Sequence, residues 1–557
     1  MPGEALYLDV QSWIEQDPDS ETRAELEKLL RLAVSGDASA EAELHDRFHT
    51  RLSFGTAGLR GALAGGPNRM NRVVVAQAAA GIAHYLLSNS ENPSIVIGYD
   101  GRKNSHIFAQ DSAEILAGLG ITVHLMPQMT PTPVLAFAIR ELRTSAGIMV
   151  TASHNPPADN GYKVYLGDAD AGSQIVPPVD AAIAAAIEQI ASSLRVNQLP
   201  RGEYGVVGED VLDAYVARTA ALVAEPIHQP RVVYTAMHGV GWDLFSQVLR
   251  TAGFDEPTIV AEQNAPDAAF PTLAFPNPEE AGALDRAYAL ARECDAELIL
   301  AHDPDADRLG VAIPDEASAS GYRRLTGNEL GCIFGWWAAR RAAQEQRTGT
   351  LACSVVSSPA LEAVAKAYDL DFSWTLTGFK WISRVPKLIF GYEEALGYLV
   401  NPETVRDKDG ISAALVMLSV VSELAAAGKT LADHLDEFTE EFGFFASDQV
   451  SLRKASVAAV TDLMSQLRRS APTAVGLFAI ERRDDLLDGI DGLPPANIVR
   501  YWLADGSRIM VRPSGTEPKL KIYLDVMGDG GTPTQRRVDA QAKLAKFASE
   551  MKSLLGE

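Results

Sequence analysis

The chain has 557 residues, of which 47% are apolar and 22% charged, the balance of an ordinary folded chain and not of a disordered one. Its 73 acidic residues outnumber its 49 basic ones, a net charge of −24. That excludes the basic footprint of a nucleic-acid binder and argues against docking on anionic membranes, while leaving room for a small basic pocket that takes phosphate.

At roughly 150 residues per domain this length predicts about three to four domains. Cys294, Cys332 and Cys353 are far apart with no CxxC spacing, so neither a zinc site nor a disulfide framework is expected, and a cytoplasmic home is. MPGEALYLDVQSW at the start has no basic segment followed by an apolar one, so no signal peptide is expected. The most apolar stretch, residues 411–428, is interrupted by Ser and Glu and reads as a buried helix rather than a membrane span.

In chain order, residues 16–50 read as polar amphipathic helices. Gly and Pro cluster at 55–67, which predicts a loop. A helix follows at 73–87, a buried strand at 94–100, a helix over AQDSAEILAGLG, a strand at ITVHLM and another at 147–152. Residues 231–236, 298–303 and 351–356 repeat the pattern of short apolar runs ending near Gly, Asp or Ser. This alternation predicts βαβ units on mostly parallel sheets. An Ala-rich helix at 181–192 leads to a boundary near 205, and further boundaries fall near 320 and 440. The last segment differs: two strands flank Asp505-Gly506, a hairpin signal, KLKIYLDVM adds a strand, and a helix covers 534–555. The expected fold is α/β, with domains at 1–205, 206–320 and 321–440 and a smaller α+β domain at 441–557.

Four segments carry chemistry. TASHNPP (151–157) follows an apolar strand, and two consecutive prolines make its loop stiff, presenting Ser153 where open α/β sheets gather ligands. A serine-hydrolase elbow is absent, and in an extended backbone the ring of His154 would point away from Ser153; a capping turn is the alternative. DPDADR (303–308) puts Asp303, Asp305 and Asp307 at alternate positions, one side of an extended segment. Three such carboxylates repel unless a cation sits among them, and their oxygens suit Mg²⁺; the alternative is an acidic surface turn. RPSGTEPK (512–519) combines Arg512, two hydroxyls and backbone amides around Gly515, the makings of a phosphate cradle or of an ordinary hairpin loop. GYEEALGY (391–398) offers Glu393 and Glu394 as acceptors for adjacent hydroxyls, or a solvated helix start. Asp168 and Asp170, flanked by Gly, read as a turn.

Together and in this order the four loops, with FGTAGLRG near the start, resemble those of the α-D-phosphohexomutase superfamily over nearly the whole chain. The resemblance implies three related mixed α/β domains around a central cleft plus a smaller C-terminal domain. It implies an isomerase that moves phosphate between the anomeric and terminal hydroxymethyl carbons of an aldose phosphate. Ser153 would carry the phosphoryl group, and Mg²⁺ would be held by Asp303, Asp305 and Asp307 beside Ser153. A sugar bisphosphate would be the intermediate and activator. Arg60, His154, Lys163 and Lys408 would position groups or move protons near the serine. Arg308, Lys380, Glu393, Glu394, Arg512, Ser514, Gly515, Thr516 and Lys519 would bind the substrate, with His238 a weaker candidate. The partner implied is a small sugar phosphate, neither nucleic acid nor membrane, and the oligomeric state stays open.

One departure bears on the sugar. Many glucose-specific members resemble GEES at the sugar loop, whereas here Ala395 takes the serine position and Tyr392 replaces the glycine. Glucose or mannose phosphate is the first expectation. A phosphopentomutase acting on ribose or deoxyribose 1-phosphate and a sugar 1,6-bisphosphate synthase are the alternatives.

Overall fold

The computed structural model describes residues 2–56, 58–470, 472–490, 492–513, 519–528 and 530–555. They form two compact units: Met1–Arg324 with Asn401–Ser419, and Leu325–Val400 with Val420–Glu557.

The first unit opens with three helices, Pro2–Gln16, Ser20–Val34 and Ala38–Phe48. The second and third begin where Asp19 and Asp37 accept backbone N–H groups of their first turns. Two sheets follow. In the first, strands run in the order Leu59–Ala62, Asp159–Leu166, Ala146–Val150, Ser94–Tyr99, Thr122–Leu125 and Gly205–Val206. In the second the order is Tyr322–Arg324, Leu309–Pro314, Leu298–His302, Val232–Thr235 and Thr258–Ile259. Ala146–Val150 and Leu298–His302 are buried at every position, which is why they read as unbroken apolar runs.

The second unit holds a four-stranded sheet, Asp371–Thr375, Thr350–Ser354, Leu388–Glu393 and Gly397–Leu399. Its other sheet has six strands, all antiparallel. Within this unit the two sheets share a core of Val355, Val356, Leu486, Met510 and Tyr523. Arg508 is fully buried there, pairs with Asp525 at 2.7 Å and lies over the rings of Trp374 and Trp502.

The three α/β sheets are built alike. In each, two strands run parallel beside a first strand, and the later of the two turns back into an antiparallel partner. The reversals are the 151–158, 303–308 and 394–396 segments, so three of the four chemical motifs occupy one topological position. The sheets are mixed rather than mostly parallel because of these returning strands. The expected loop at 55–67 also contains a strand, Leu59–Ala62, whose Leu59 and Arg60 pair with Tyr162 and Gly161.

The apolar segment expected as a buried helix spans Gly410–Ala426. Asp409 accepts the backbone N–H groups of Ile411 and Ser412 at its start. No single helix among the described residues is long and apolar enough to cross a membrane.

In the second unit His434, on helix Leu431–Phe442, stacks on Trp336 with ring centroids 4.4 Å apart. Burial, helped by Arg340, pulls its ionisation down to about 4, against the attraction of Glu437. A histidine held neutral on folding stabilises fully above its unfolded value and progressively less as pH falls toward its folded one. Urea titrations at pH 7 and pH 5 should show wild-type protein losing about 2 kcal/mol through this group. His434→Phe, which keeps a ring on Trp336, should lose correspondingly less over the same interval.

Candidate active site

Ser153 sits on the reversal after strand Ala146–Val150, 2% exposed, with φ +52°. That left-handed backbone is uncommon for a residue with a Cβ and is held by its N–H, which donates to Thr151 Oγ1 at 2.8 Å. The hydroxyl donates to Asp303 Oδ2 at 2.8 Å and accepts from Arg308 Nη1 at 2.9 Å. The same turn brings His154 back, its Nδ1 3.3 Å from Ser153 Oγ and against the Arg308 guanidinium. An extended backbone would have pointed that ring away; the left-handed serine reverses the expectation. Burial and the neighbouring Arg308 and Arg60 hold the imidazole well below its ordinary range, so it is neutral.

The aspartate loop is likewise turned and not extended. Ala306 has φ +52°, and its N–H donates to the Asp303 carbonyl at 2.8 Å. The turn still gathers one oxygen from each of Asp303, Asp305 and Asp307 within 4.8 Å of one another, all buried. Burial and the two neighbouring acids push Asp303 up to about 7. Burial acts the same way on Asp305 and Asp307, but nearby cations outweigh it and both fall below the usual carboxylate range. The cations are specific. Lys163 Nζ lies 2.8 Å from Asp305 Oδ2 and 2.9 Å from Asp307 Oδ2, and Lys408 Nζ lies 3.2 Å from the latter. Burial works to strip the Lys163 proton, and Asp305, Asp307 and Asp407 together overcome it, leaving the ammonium firmly charged.

One oxygen on each of two acids, Asp305 Oδ1 and Asp307 Oδ1, is buried with no hydrogen-bond partner among the described residues. Unsatisfied buried carboxylate oxygens are expensive, and an all-oxygen set beside a hydroxyl suits a hard divalent cation. The residues present therefore fit a metal.

Lys408 arrives on residues 401–419, a segment pinned on both sides. Asp407 Oδ2 accepts from Tyr165 at 2.8 Å and Gln174 at 2.9 Å, and Asp409 accepts from Tyr215 at 3.0 Å. His302, directly before the first aspartate, bonds Tyr234 and the Gly410 carbonyl at 2.9 and 3.0 Å. Arg60 donates to Asn155 Oδ1 of the serine loop at 3.2 Å. Gly58, in the same FGTAGLRG segment, has φ +74°, and a Cβ there would lie 1.8 Å from the Tyr162 carbonyl oxygen. His238 bonds Thr272 at 2.8 Å rather than a member of this cluster.

The other candidates belong to the second unit. Glu393 is buried at the end of strand Leu388–Glu393. Glu394 Oε2 accepts from Ser354 and Ser357 at 2.9 and 3.1 Å, so protein hydroxyls already occupy that oxygen. Lys380 lies on the short helix Phe379–Ile382, next to Gly378 of the same loop. Arg512 donates to Thr377 at 2.6 Å, tying the last motif to that loop. Lys519 begins strand Lys519–Gly528. Ser514, Gly515 and Thr516 lie outside the described residues.

Sequence reasoning missed Thr132, whose hydroxyl donates to Asp305 Oδ2 at 2.6 Å, and the bracing residues Arg102, Asp407 and His302. DGR at 100–102 and DKDG at 407–410 were visible as charge next to glycine after or before apolar runs, while Thr132 gives no signal.

The chain also matches known proteins over most of its length. The family models for phosphoglucomutase/phosphomannomutase match in order: alpha/beta/alpha domain I over residues 51–194, domain II over 213–316, domain III over 326–442 and the C-terminal domain over 452–530. A Haemophilus influenzae protein named "Probable phosphomannomutase" is 50% identical over 87% of this chain and 98% of its own length. A Homo sapiens phosphopentomutase is 34% identical over 95% of this chain and 93% of its own. A solved phosphoglucomutase/phosphomannomutase family protein from Burkholderia thailandensis shares the fold, with TM-score 0.68, 19% identity, and coverage of 90% of this chain and 98% of that one.

Lys163 is the counter-charge to two buried acids. Lys163→Met should lower stability in chelator by about 3–5 kcal/mol, measured by urea titration, and added Mg²⁺ should recover more of it than it adds to wild type. A variant as stable as wild type in chelator would show that the acids are balanced without this ammonium.

Proposed function

The chain belongs to the phosphoglucomutase/phosphomannomutase family, and from that membership we propose that it shifts phosphate between the anomeric and terminal hydroxymethyl carbons of glucose or mannose phosphate, with Ser153 as the phosphoryl carrier. One observation carries the reading: a buried serine hydroxyl 2.8 Å from an aspartate that belongs to a three-carboxylate cluster with two oxygens that lack a hydrogen-bond partner among the described residues. A serine so placed is suited to hold a phosphoryl group, and the cluster to hold Mg²⁺ through Asp303, Asp305 and Asp307. When bound, the ion would withdraw charge from the phosphoryl oxygens and stabilise the serine oxygen as it leaves.

The chain's own residues supply the remainder. In the first transfer the bond between Ser153 Oγ and phosphorus breaks as a substrate hydroxyl oxygen bonds to phosphorus and gives up its proton; the departing serine oxygen ends protonated, and the product is the sugar bisphosphate. In the second the bisphosphate returns its other phosphoryl group to Ser153. Arg308, 2.9 Å from Ser153 Oγ, places fixed positive charge where negative charge develops. His154, neutral and beside the same oxygen, orients the loop and offers a ring nitrogen for hydrogen bonding. Lys163 and Lys408 keep two of the three acids ionised and therefore able to bind a cation. Arg60 holds the serine loop through Asn155. Glu393 and Lys380 would recognise the sugar. Arg512 and Lys519, with Ser514, Gly515 and Thr516, would bind the phosphate that is not reacting.

A pentose phosphate is the second reading. Ala395 removes a hydroxyl from the sugar loop, and a site that loses such a hydrogen bond changes its discrimination. The human relative named phosphopentomutase supports the same reading.

Turnover with Mg²⁺ and a trace of the matching bisphosphate should be measured on glucose 1-phosphate, mannose 1-phosphate and ribose 1-phosphate side by side. The hexoses should be preferred by at least about tenfold in kcat/KM, or about 1.4 kcal/mol. A pentose preference would transfer the assignment to the second reading, and accumulating bisphosphate fed by a separate donor would make the chain a bisphosphate synthase. Ser153→Ala should fold normally and fall below about one-thousandth of wild-type turnover. Chelator should abolish wild-type turnover, and Mg²⁺ should restore it.

A further inference from the structure

The serine loop has a second support that touches no reacting atom. Strand Ser94–Tyr99 runs parallel to Ala146–Val150, with Tyr99 opposite Val150. The segments leaving these neighbouring strands therefore start side by side, one carrying Arg102 and the other Ser153. Arg102 is 4% exposed. Its Nη1 donates to the carbonyls of Pro156 at 2.9 Å and Asp159 at 3.2 Å. Its Nη2 donates to the carbonyl of Asn155 at 2.6 Å and, in a shorter contact, to that of Ser153 itself. One guanidinium thus gathers four carbonyls of a single loop.

The loop needs such a donor. Pro156 and Pro157 bring no N–H; the Pro156 carbonyl also accepts the Asp159 N–H at 3.0 Å, and a buried carbonyl left without a partner is costly. Four acceptors spread along the loop suit a planar fork of donors, whereas a lysine offers three donors on one point. The fork is itself fixed. The ring of Phe270 lies over it, 5.0 Å from centroid to guanidinium carbon. Asp100 Oδ1 accepts the Arg102 backbone N–H at 3.0 Å and the Ser105 hydroxyl at 2.6 Å. Arg102 Nε stands 3.6 Å from Asp100 Oδ2, an ion pair beyond hydrogen-bond range, and both atoms are buried with no hydrogen-bond partner among the described residues. The four carbonyl bonds aim the fork at the loop, and Asp100 adds opposite charge at 3.6 Å.

We propose that Arg102 is a positioning residue: by gathering these carbonyls it holds the left-handed turn at Ser153 and so sets where the serine oxygen stands. The inference rests on Ser153 being the phosphoryl carrier. Transfer rates depend steeply on placement, and a misplacement of about 1 Å can cost about a hundredfold. The guanidinium is buried and its two Nη groups are spent on the loop, so the effect is expected on kcat rather than on KM.

The experiment uses the full chain with Mg²⁺ and a sugar 1,6-bisphosphate. Ser153 phosphorylation is followed by intact mass, turnover by steady-state kinetics and folded fraction by circular dichroism. Arg102→Lys should phosphorylate and turn over about a hundredfold more slowly per folded molecule, with KM changed by less than about threefold. Guanidinium at a non-denaturing concentration should speed Arg102→Ala, and methylammonium, of equal charge but no fork, should not. Should Arg102→Lys fail to fold, Phe270→Leu tests the same support by freeing the guanidinium face, and its kcat should fall with KM unchanged. A wild-type chain that takes no phosphoryl group on Ser153 overturns the functional reading and this inference with it. A phosphorylated wild type matched by Arg102→Lys, or by Phe270→Leu where the first variant is unfolded, overturns the role of Arg102 alone.

Discussion

Three buried carboxylates within 4.8 Å of one another are a problem of electrostatics before they are a site. Two such charges 4 Å apart repel by about 4 kcal/mol even at an effective dielectric of 20, so the surroundings must supply positive charge or protons. Lys163 comes from the strand returning after the serine loop, Arg308 from the aspartate loop itself and Lys408 from a distant stretch of chain. Around each, further groups fix the angle of approach: Thr132 on Asp305, Tyr165 and Gln174 on Asp407, Tyr215 on Asp409. These buried polar groups of the first unit keep two of the acids, Asp305 and Asp307, ionised. A divalent cation would satisfy Asp305 Oδ1 and Asp307 Oδ1, which have no hydrogen-bond partner among the described residues.

The three-fold recurrence of one strand order explains how such a site is assembled with little invention. In every α/β sheet the reversal between a parallel strand and its antiparallel return leaves the sheet at the carboxyl end of a buried strand, where side chains from both flanks can meet. One sheet places there a serine, the next three aspartates and the third a glutamate pair. The scaffold is repeated and the chemistry is varied at a single loop, a physical form of the rule that function is grafted onto folds.

What was legible in the sequence divides by range. Ser153, the three aspartates, Arg512 and the glutamate pair lie in contiguous motifs beside apolar strands, so local pattern and family resemblance reached them. The alternation of strands and helices likewise gave the layers. The left-handed turns at Ser153 and Ala306 were not legible, because they depend on bonds to Thr151 and on packing that no local pattern encodes. They decide where His154 points and how the acids converge. Thr132, Asp407 and Arg102 also escaped the reading. Each acts across many residues of chain; a lone Thr has no signature, and the charge next to glycine at 100–102 and 407–410 is only a weak one. The Glu394 side chain shows the converse, since a motif read as reaching for sugar has one oxygen held by Ser354 and Ser357.

The excursion of residues 401–419 into the first unit has a consequence for the order in which the molecule can be made. The ribosome delivers Ser153 and all three aspartates well before Lys408. Asp307 therefore waits for its second ammonium, and Tyr215 for Asp409, until much of the next sheet has already been translated. A chain released after residue 324 would hold every residue of the serine and aspartate loops yet lack a charge they fold around. Completion of the first unit is thus written into the middle of the second.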